Sequence, residues 1–383
     1  MPFESSDKEV SVLKDWATSL IQVPSKGTFM MIRHLEAEAK VNLVLGDDIA
    51  LNAVYYSDCL LMMSSIPSGS VDLVYMDPPF GSNRTYTSTR KEFGRFPSFD
   101  DRWVGGITHY VSWMRERIVE CKRILKKTGS IFLHCDPHSS HYLKTVMDQI
   151  FGMGNFRNEI IWKRQSGHND GRQGSRHFGR IHDVILLYSR TNEPKWHPQY
   201  RPYAKEYTRK VYRFVEPNTS RLYALGDLGG IGGEDKSCPK YTFRGFTRYW
   251  RYSKKNMERL WREGRIVQTS AQAQPKIKRY LDEMKGLEYQ DMWDDINPVG
   301  NGERVNYPTQ KPLKLLERII CSSTDVGDVV LDPFCGSGTS AVACQNLRRN
   351  WIAIDSSISA CRLTGKRLRV AGVEAKIIRG YTS

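Results

Sequence analysis

The stretch Val330-Leu331-Asp332-Pro333-Phe334-Cys335-Gly336-Ser337-Gly338-Thr339 decides the fold. A short β-branched run ends on an acid, passes through a turn holding two glycines, and enters Thr339 to Leu347, whose apolar residues recur at helical spacing. Glycine lets backbone N–H groups come close to a ligand, and a helix N-terminus favours an anionic group such as a carboxylate or phosphate. No Gly-Lys-Ser/Thr follows, so a nucleotide P-loop is excluded.

Asp355 stands 17 residues after Gly338, at the end of the strand candidate Ile352 to Ile354. An acid there accepts ribose hydroxyls, so the pattern points to a nucleoside cofactor, either a dinucleotide or S-adenosylmethionine. The third glycine of GxGxxG is absent, which weakens the dinucleotide. Helical patterns lie before and after, at Pro312 to Cys321 and Ile358 to Val370. Upstream, Val71 to Met76 (VDLVYM), Ser130 to Cys135 (SIFLHC) and Asp183 to Tyr188 (DVILLY) read as buried strands; Lys127-Thr128-Gly129 reads as a turn and Tyr110 to Leu125 as a helix. Strands alternating with helices predict an α/β fold, a doubly wound and mostly parallel sheet covered on both faces.

Two further segments carry chemistry. Asp77-Pro78-Pro79-Phe80 follows the strand VDLVYM directly, where ligands of open α/β sheets bind. Proline donates no N–H, so Asp77 and the proline carbonyls form an acceptor-only cradle, matched to an exocyclic amino group with its two N–H donors. Holding both hydrogens draws the nitrogen toward tetrahedral geometry and frees its lone pair, while Phe80 can stack on the attached base. A solvated Asp in a proline turn is the plainer alternative. Asn306-Tyr307-Pro308-Thr309-Gln310-Lys311-Pro312 runs into the helix LKLLERII, with Pro312 suited to a first turn and Lys311 able to reach an anionic ligand near the glycine turn.

The 383 residues hold 57 Lys+Arg against 42 Asp+Glu, which excludes an acidic disordered chain. Residues 161 to 280 hold 26 Lys+Arg and 10 Asp+Glu, so one segment carries the whole positive excess, interleaved with 18 of the 42 aromatics. That mixture suits a polyanion whose bases can stack. Residues 190 to about 300 break the strand–helix rhythm and read as an inserted, loop-rich module. No run reaches the ~18 apolar residues of a membrane span, and MPFESSDKEV is no signal peptide, so a soluble, cytoplasmic, nucleoid-associated protein is expected. Eight scattered cysteines without a CxxC pair predict free thiols and no metal site.

Together, and in this order, the segments resemble the amino-methylating DNA methyltransferases of the permuted, beta-class arrangement, over about residues 53 to 370. The resemblance implies a Rossmann-like domain that transfers methyl from S-adenosylmethionine to adenine N6 or cytosine N4 in duplex DNA. Matching positions imply that Asp77, Pro78 and Pro79 hold the target amino group and Phe80 stacks on the flipped base. The cofactor's methionine portion would lie on Asp332, Phe334, Gly336, Ser337, Gly338 and Thr339, with Lys311 and Thr309 beside it and Asp77 at its edge. Asp355 would take the ribose, and Asp58, with Cys59 in the SDC ahead of the DPPF strand, the adenine. GSIFLHCD at 129, NEIIWKR at 158 and RIHDVILLYS at 180 also look like the family.

The implied organisation is an unassigned extension over 1–50, a catalytic half over 51–190, a target-recognition region over 191–300 and a cofactor half over 301–383. Phosphate contacts are expected from Lys163, Arg164, Arg172, Arg176 and Arg180, and from Arg248, Arg251, Lys254 and Lys255. Residues 81 to 105 read as a loop able to close over the flipped base. Tyr is the more usual fourth residue of the catalytic motif; Phe80 keeps the stacking ring. Cytosine-N4 members usually carry Ser in place of the leading Asp, which favours adenine here. The alternatives are cytosine-N4 methylation or a DNA-binding relative without catalysis. A homodimer and a partner restriction endonuclease acting on the same site are further implications of the resemblance.

Overall fold

The computed structural model describes residues 44–45, 49–80, 85–86, 99–100, 105–167, 174, 176–230, 238–305 and 307–380. Most of the loop expected over 81–105, together with Arg172 and Asn306, lies outside them. The chain divides into two units, Met1–Leu51 and Asn52–Ser383. In the first, Val44–Leu45 pairs antiparallel with Ile49–Ala50.

In the second unit, nine strands join in one sheet: β1 (Ala53–Tyr56), β2 (Val71–Met76), β3 (Leu125–Cys135), β4 (Phe156–Lys163), β5 (His182–Ser189), β6 (Met292–Trp293), β7 (Val329–Asp332), β8 (Asn350–Asp355) and β9 (Lys376–Arg379). Their order is β6-β4-β5-β3-β2-β7-β8-β1-β9. Every neighbouring pair is parallel except those made by β5, which runs against both β3 and β4. β2 is buried at all six residues, which is why VDLVYM lacks polar alternation: both faces are covered. Its one acid, Asp72, is satisfied by Lys126 Nζ at 2.7 Å and the Val329 amide at 3.0 Å.

Among the described residues the helices are α1 (Cys59–Ser65), α2 (Gly106–Ile124), α3 (Ser140–Phe151), α4 (Lys205–Val211), α5 (Lys254–Arg262), α6 (Leu313–Ser323), α7 (Thr339–Asn346) and α8 (Ile358–Val370). Leu315, Leu316 and Ile319 of α6 join Leu73, Tyr75 and Val330 of the central strands in the main core. The sequence predicts β2, β5, β7, β8, α2, α6, α7 and α8 to within a few residues and the second half of β3, and leaves out β1, β4, β6, β9, α1, α3, α4 and α5. The predicted turn Lys127–Gly129 lies inside β3, where the residues between Leu125 and Ser130 bulge against Val71–Leu73. Pro312 caps α6 with an extended backbone, φ −69° and ψ 143°, and does not enter its first turn.

The basic module is more ordered than its composition suggests. Phe214–Val215, Leu222–Asp227, Lys276–Tyr280 and Ile266–Val267 form a four-stranded antiparallel sheet, and Lys240–Phe243 pairs with Phe246–Tyr249 in a hairpin. Leu228, Phe243, Trp250, Met257, Ile266 and Ile277 make a small core of their own. The chain rejoins the main sheet at β6, ahead of residue 301: Trp162 Nε1 donates to the Ile296 carbonyl at 3.0 Å, and Arg318 of α6 grips Asp295 with two bonds of 2.9 and 2.6 Å. Against the upward push of burial, that guanidinium holds the Asp295 carboxyl well below the usual range. No helix among the described residues is long and apolar enough to cross a membrane.

Candidate active site

β2, β7 and β8 lie side by side and parallel, and each ends on an acid: Asp77 just after β2, Asp332 closing β7 and Asp355 closing β8. A cavity of about 200 Å³ opens at this edge. Of the residues proposed from sequence, Asp77, Pro78, Pro79, Phe80, Thr309, Lys311, Asp332, Phe334, Gly336, Ser337, Thr339 and Asp355 line it. Tyr75, Tyr307, Pro308, Leu316, Cys335, Ser340, Ser356 and Ser357 line it as well. Most of these are neighbours of motif residues already singled out, and Tyr307 sits inside NYPTQKP; Leu316 alone comes from a helix face that sequence reads as core.

Asp77 presents two unlike oxygens. Oδ2 takes the Lys311 ammonium at 2.6 Å, whereas Oδ1 is buried and has no hydrogen-bond partner among the described residues. A buried acceptor left open is costly unless a ligand supplies a donor. The same ammonium lies 5.1 Å from the Phe80 ring, whose other neighbour is the His134 imidazole at 5.7 Å. His134 is buried between Tyr75, whose hydroxyl lies 3.0 Å from Nδ1, and Asp183, whose Oδ2 lies 3.2 Å from Nε2. Burial pushes Asp183 up, but the His134 hydrogen bond and the Lys311 and Arg164 charges outweigh it and leave the carboxyl below its usual range. An ionised Asp183 makes Nε2 the donor and leaves Nδ1 to accept from the Tyr75 hydroxyl, whose own pKa burial drives far upward.

The glycine turn is held by carboxylates. The Gly336 amide donates to Asp355 Oδ2 and the Ser357 amide to Oδ1, both at 2.8 Å. Asp332 Oδ1 accepts the Phe334 amide at 3.0 Å, and Ser340 Oγ donates to Oδ2. Burial lifts Asp332 to about 7, with the Asp77 and Asp355 charges adding to it, and lifts Asp355 to about 6. Gly336 has φ +50°, and a Cβ there would stand 3.1 Å from the Tyr307 ring, inside the cavity wall. Two carboxyls whose ionised forms a bound cation would favour, and a glycine cradle, fit S-adenosylmethionine, a cationic nucleoside.

Three proposed cofactor residues do not line the cavity. Gly338 (φ +76°) is needed elsewhere: a Cβ there would come within 2.4 Å of Thr364 on α8, so it provides close helix packing. Asp58 caps α1 through the Leu60 and Leu61 amides at 2.9 and 3.1 Å and pairs with Arg117 at 3.3 Å. Arg117 in turn lies over Trp113, which packs on Phe334, so Asp58 supports the cavity wall from behind. Cys59 is buried in the same helix, its thiol pushed up to about 11 mainly by burial. Cap geometry is what places Asp58 there: the first amides of α1 need an acceptor.

The proposed phosphate contacts divide likewise. Lys163, Arg176, Arg180, Arg251, Lys254 and Lys255 are exposed. Arg248 is drawn inward by Gln274 and by Asp227 at 3.7 Å. Arg164 is engaged with Asp183 at 3.0 Å and is better read as a strut than as a phosphate ligand.

The family model described as DNA methylase, for N6/N4 enzymes, matches residues 71–366. Type II methyltransferase M.EcaI of Enterobacter cloacae is 28% identical over 328 residues, spanning 83% of this chain and 70% of its own. DNA adenine methyltransferase YhdJ of Escherichia coli strain K12 is 25% identical over 319 residues, 83% of each chain. Among solved structures, the M1.HpyAVI–SAM complex superposes with a TM-score of 0.44 at 16% identity, over 82% of this chain and 98% of that one. Matched over most of its length, and carrying the acid-tipped strands at one sheet edge, the chain belongs to the N6/N4 family of DNA methylases, which draw their methyl group from S-adenosylmethionine.

Proposed function

We propose that the protein methylates N6 of an adenine flipped out of duplex DNA. The observation that carries this reading is Asp77 Oδ1, a buried acceptor with no partner among the described residues, at the end of a strand and followed by two prolines. Lys311 holds the other oxygen, so the carboxylate turns one acceptor to the substrate. Asp77 Oδ1 and the proline carbonyls take the two amino hydrogens, and the nitrogen lone pair leaves the ring's π-system to become a nucleophile. S-adenosylmethionine supplies the electrophilic methyl on its sulfonium. Asp355 would hold its ribose, and Asp332, Ser337 and Thr339 its methionine portion. Asp77 orients the amine without deprotonating it first, because a neutral arylamine is a very weak acid and the methylated ammonium sheds its proton readily. Phe80 stacks on the extruded ring.

Adenine is favoured over cytosine by the leading Asp, where cytosine-N4 members of the family usually carry Ser, and by the likeness to a relative named as a DNA adenine methyltransferase. A cognate endonuclease for the same site is part of this reading, supported by the likeness to the Type III restriction-modification enzyme StyLTI Mod subunit of Salmonella typhimurium, 28% identical over 323 residues. The test incubates the protein with mixed-sequence duplex and labelled S-adenosylmethionine, digests to nucleosides and identifies the labelled one by mass spectrometry. N6-methyladenine is expected; N4-methylcytosine would overturn the choice of base.

A further inference from the structure

Phe178 is the most exposed large apolar side chain among the described residues, at 98%. A phenylalanine ring left wholly in water forgoes the gain of burial and is open to a ligand. Its charged sequence neighbours are of one sign: Arg176 and Arg180 flank it, and the sequence over 171–182 contains no acid. Such a setting suits a polyanion with stacked rings.

The place in the fold is specific. Phe178 belongs to the connection between β4 and β5, whose ends Lys163 and His182 pair. Because β5 runs against β3, its first residues lie beside the last residues of β3, with Val184 opposite Cys135. β3 is parallel to β2, with Leu133 beside Met76, so the connection rises from the sheet edge that carries Asp77. Its root is braced: the Arg164 and Gln165 amides donate to the Ile181 carbonyl at 3.0 and 3.3 Å, and Arg164 Nη2 to the Arg180 carbonyl at 3.3 Å. Arg164 also pairs with Asp183, which bonds His134, against which Phe80 packs. The backbone that carries the exposed ring and the stacking ring of the site thus share one polar frame.

We propose that Phe178 is a wedge: it enters the duplex beside the target and fills the gap that the extruded base leaves. The inference rests on the base-flipping reading above. Apolar side chains inserted between base steps do this elsewhere, and one base–aromatic stack is worth about 1–3 kcal/mol.

Methyl transfer by Phe178→Ala and Phe178→Trp is measured on a mixed-sequence duplex and on its separated single strands. The expected result is a loss of about tenfold or more for Phe178→Ala on duplex, the scale of one stack, with little loss on single strands, where nothing must be opened. Phe178→Trp restores duplex activity. Thermal melting of both variants stays at the wild-type value, since the side chain is 98% exposed. An equal loss on duplex and single strands, or no loss at all, overturns the proposal. Label found on cytosine would fail the assignment of adenine alone, because the duplex-to-single-strand ratio still judges Phe178.

Discussion

The acid-tipped edge of the main sheet and the basic module between β5 and β6 use charge in opposite ways. At the edge, Asp332 is buried and Asp355 half-buried, and both take backbone amides, so each acid is held by the main chain itself. In the module, charge meets charge near the surface: Arg221 grips Asp282 and Glu283, Arg265 grips Glu283, and Lys278 meets Glu216. The two arginines, Arg265 foremost, hold the Glu283 carboxyl at about 2. The net excess of the module is therefore a poor guide to which cations are free, whereas each acid at the edge has one definable task. Water screens the module's surface pairs more than it screens the acids at the edge.

The largest effect that would break this contrast is at Asp77. Asp77→Ala should lower single-turnover methyl transfer by about a thousandfold, the upper range for removing a preorganised charge-stabilising group, while calorimetry finds S-adenosylmethionine binding within about twofold. Retained activity would show that the open Oδ1 is not the amine's acceptor.

A second comparison sets two glycines of positive φ against each other. Gly338 faces Thr364 at 2.4 Å from its ideal Cβ position, whereas Gly245, φ +86°, in the module's hairpin has nothing within 4 Å. Gly338→Ala should cost about 2 kcal/mol or more in denaturant unfolding, from backbone strain and the clash together. Gly245→Ala should cost about 1 kcal/mol, from strain alone.

The raised carboxyls sharpen the contrast through pH. Their folded values, about 7 for Asp332 and about 6 for Asp355, exceed the unfolded value near 3.9, so the native state holds the extra protons between these limits. The stability they contribute is full below pH 4 and is lost as pH rises through 6 and 7. A cation bound beside them favours the ionised forms. Binding of S-adenosylmethionine should therefore release protons and tighten with pH, by up to about tenfold per unit for each proton released, levelling off above pH 7. Titration calorimetry in buffers of different ionisation enthalpy reads both quantities.

The smallest effect lies in the module. Lys254 and Lys255 are exposed at the start of α5, and changing both to Gln should lessen the slope of log binding constant against log salt by about 1 for each phosphate no longer neutralised. Arg221→Gln, which removes a cation already shared by two acids, should leave that slope unchanged; anisotropy on labelled duplex measures both.

What was legible in the sequence follows the same division. VDLVYM, Asp77, Asp332, the glycine turn and Asp355 could be read because a buried strand and the turn after it constrain every residue locally. Lys311 was placed beside the cofactor, but its bond to Asp77 joins residues far apart in the chain, and no local pattern encodes it. Asp58 is legible only through the family resemblance and Arg164 only through its place in a basic stretch; no local pattern encodes the helix cap of the first or the pairing of the second with Asp183. The module looked like loops because its two-residue strands, such as Ile266–Val267 and Phe214–Val215, owe their existence to partners that sequence periodicity does not reveal.

The pairing of β2 with β7 sets an order of events during synthesis. Leu73 pairs with Val330, so the strand bearing Asp77 leaves the ribosome long before its neighbour is made. The basic module and the braced connection before it are translated in between. The nascent chain therefore holds the basic module before it holds the cavity at the sheet edge, which the ends of β7 and β8 complete only after residue 355. Pairings of such sequence separation form slowly, since the loop must be closed before any contact repays it. Catalytic competence is in this sense the last property the polypeptide acquires.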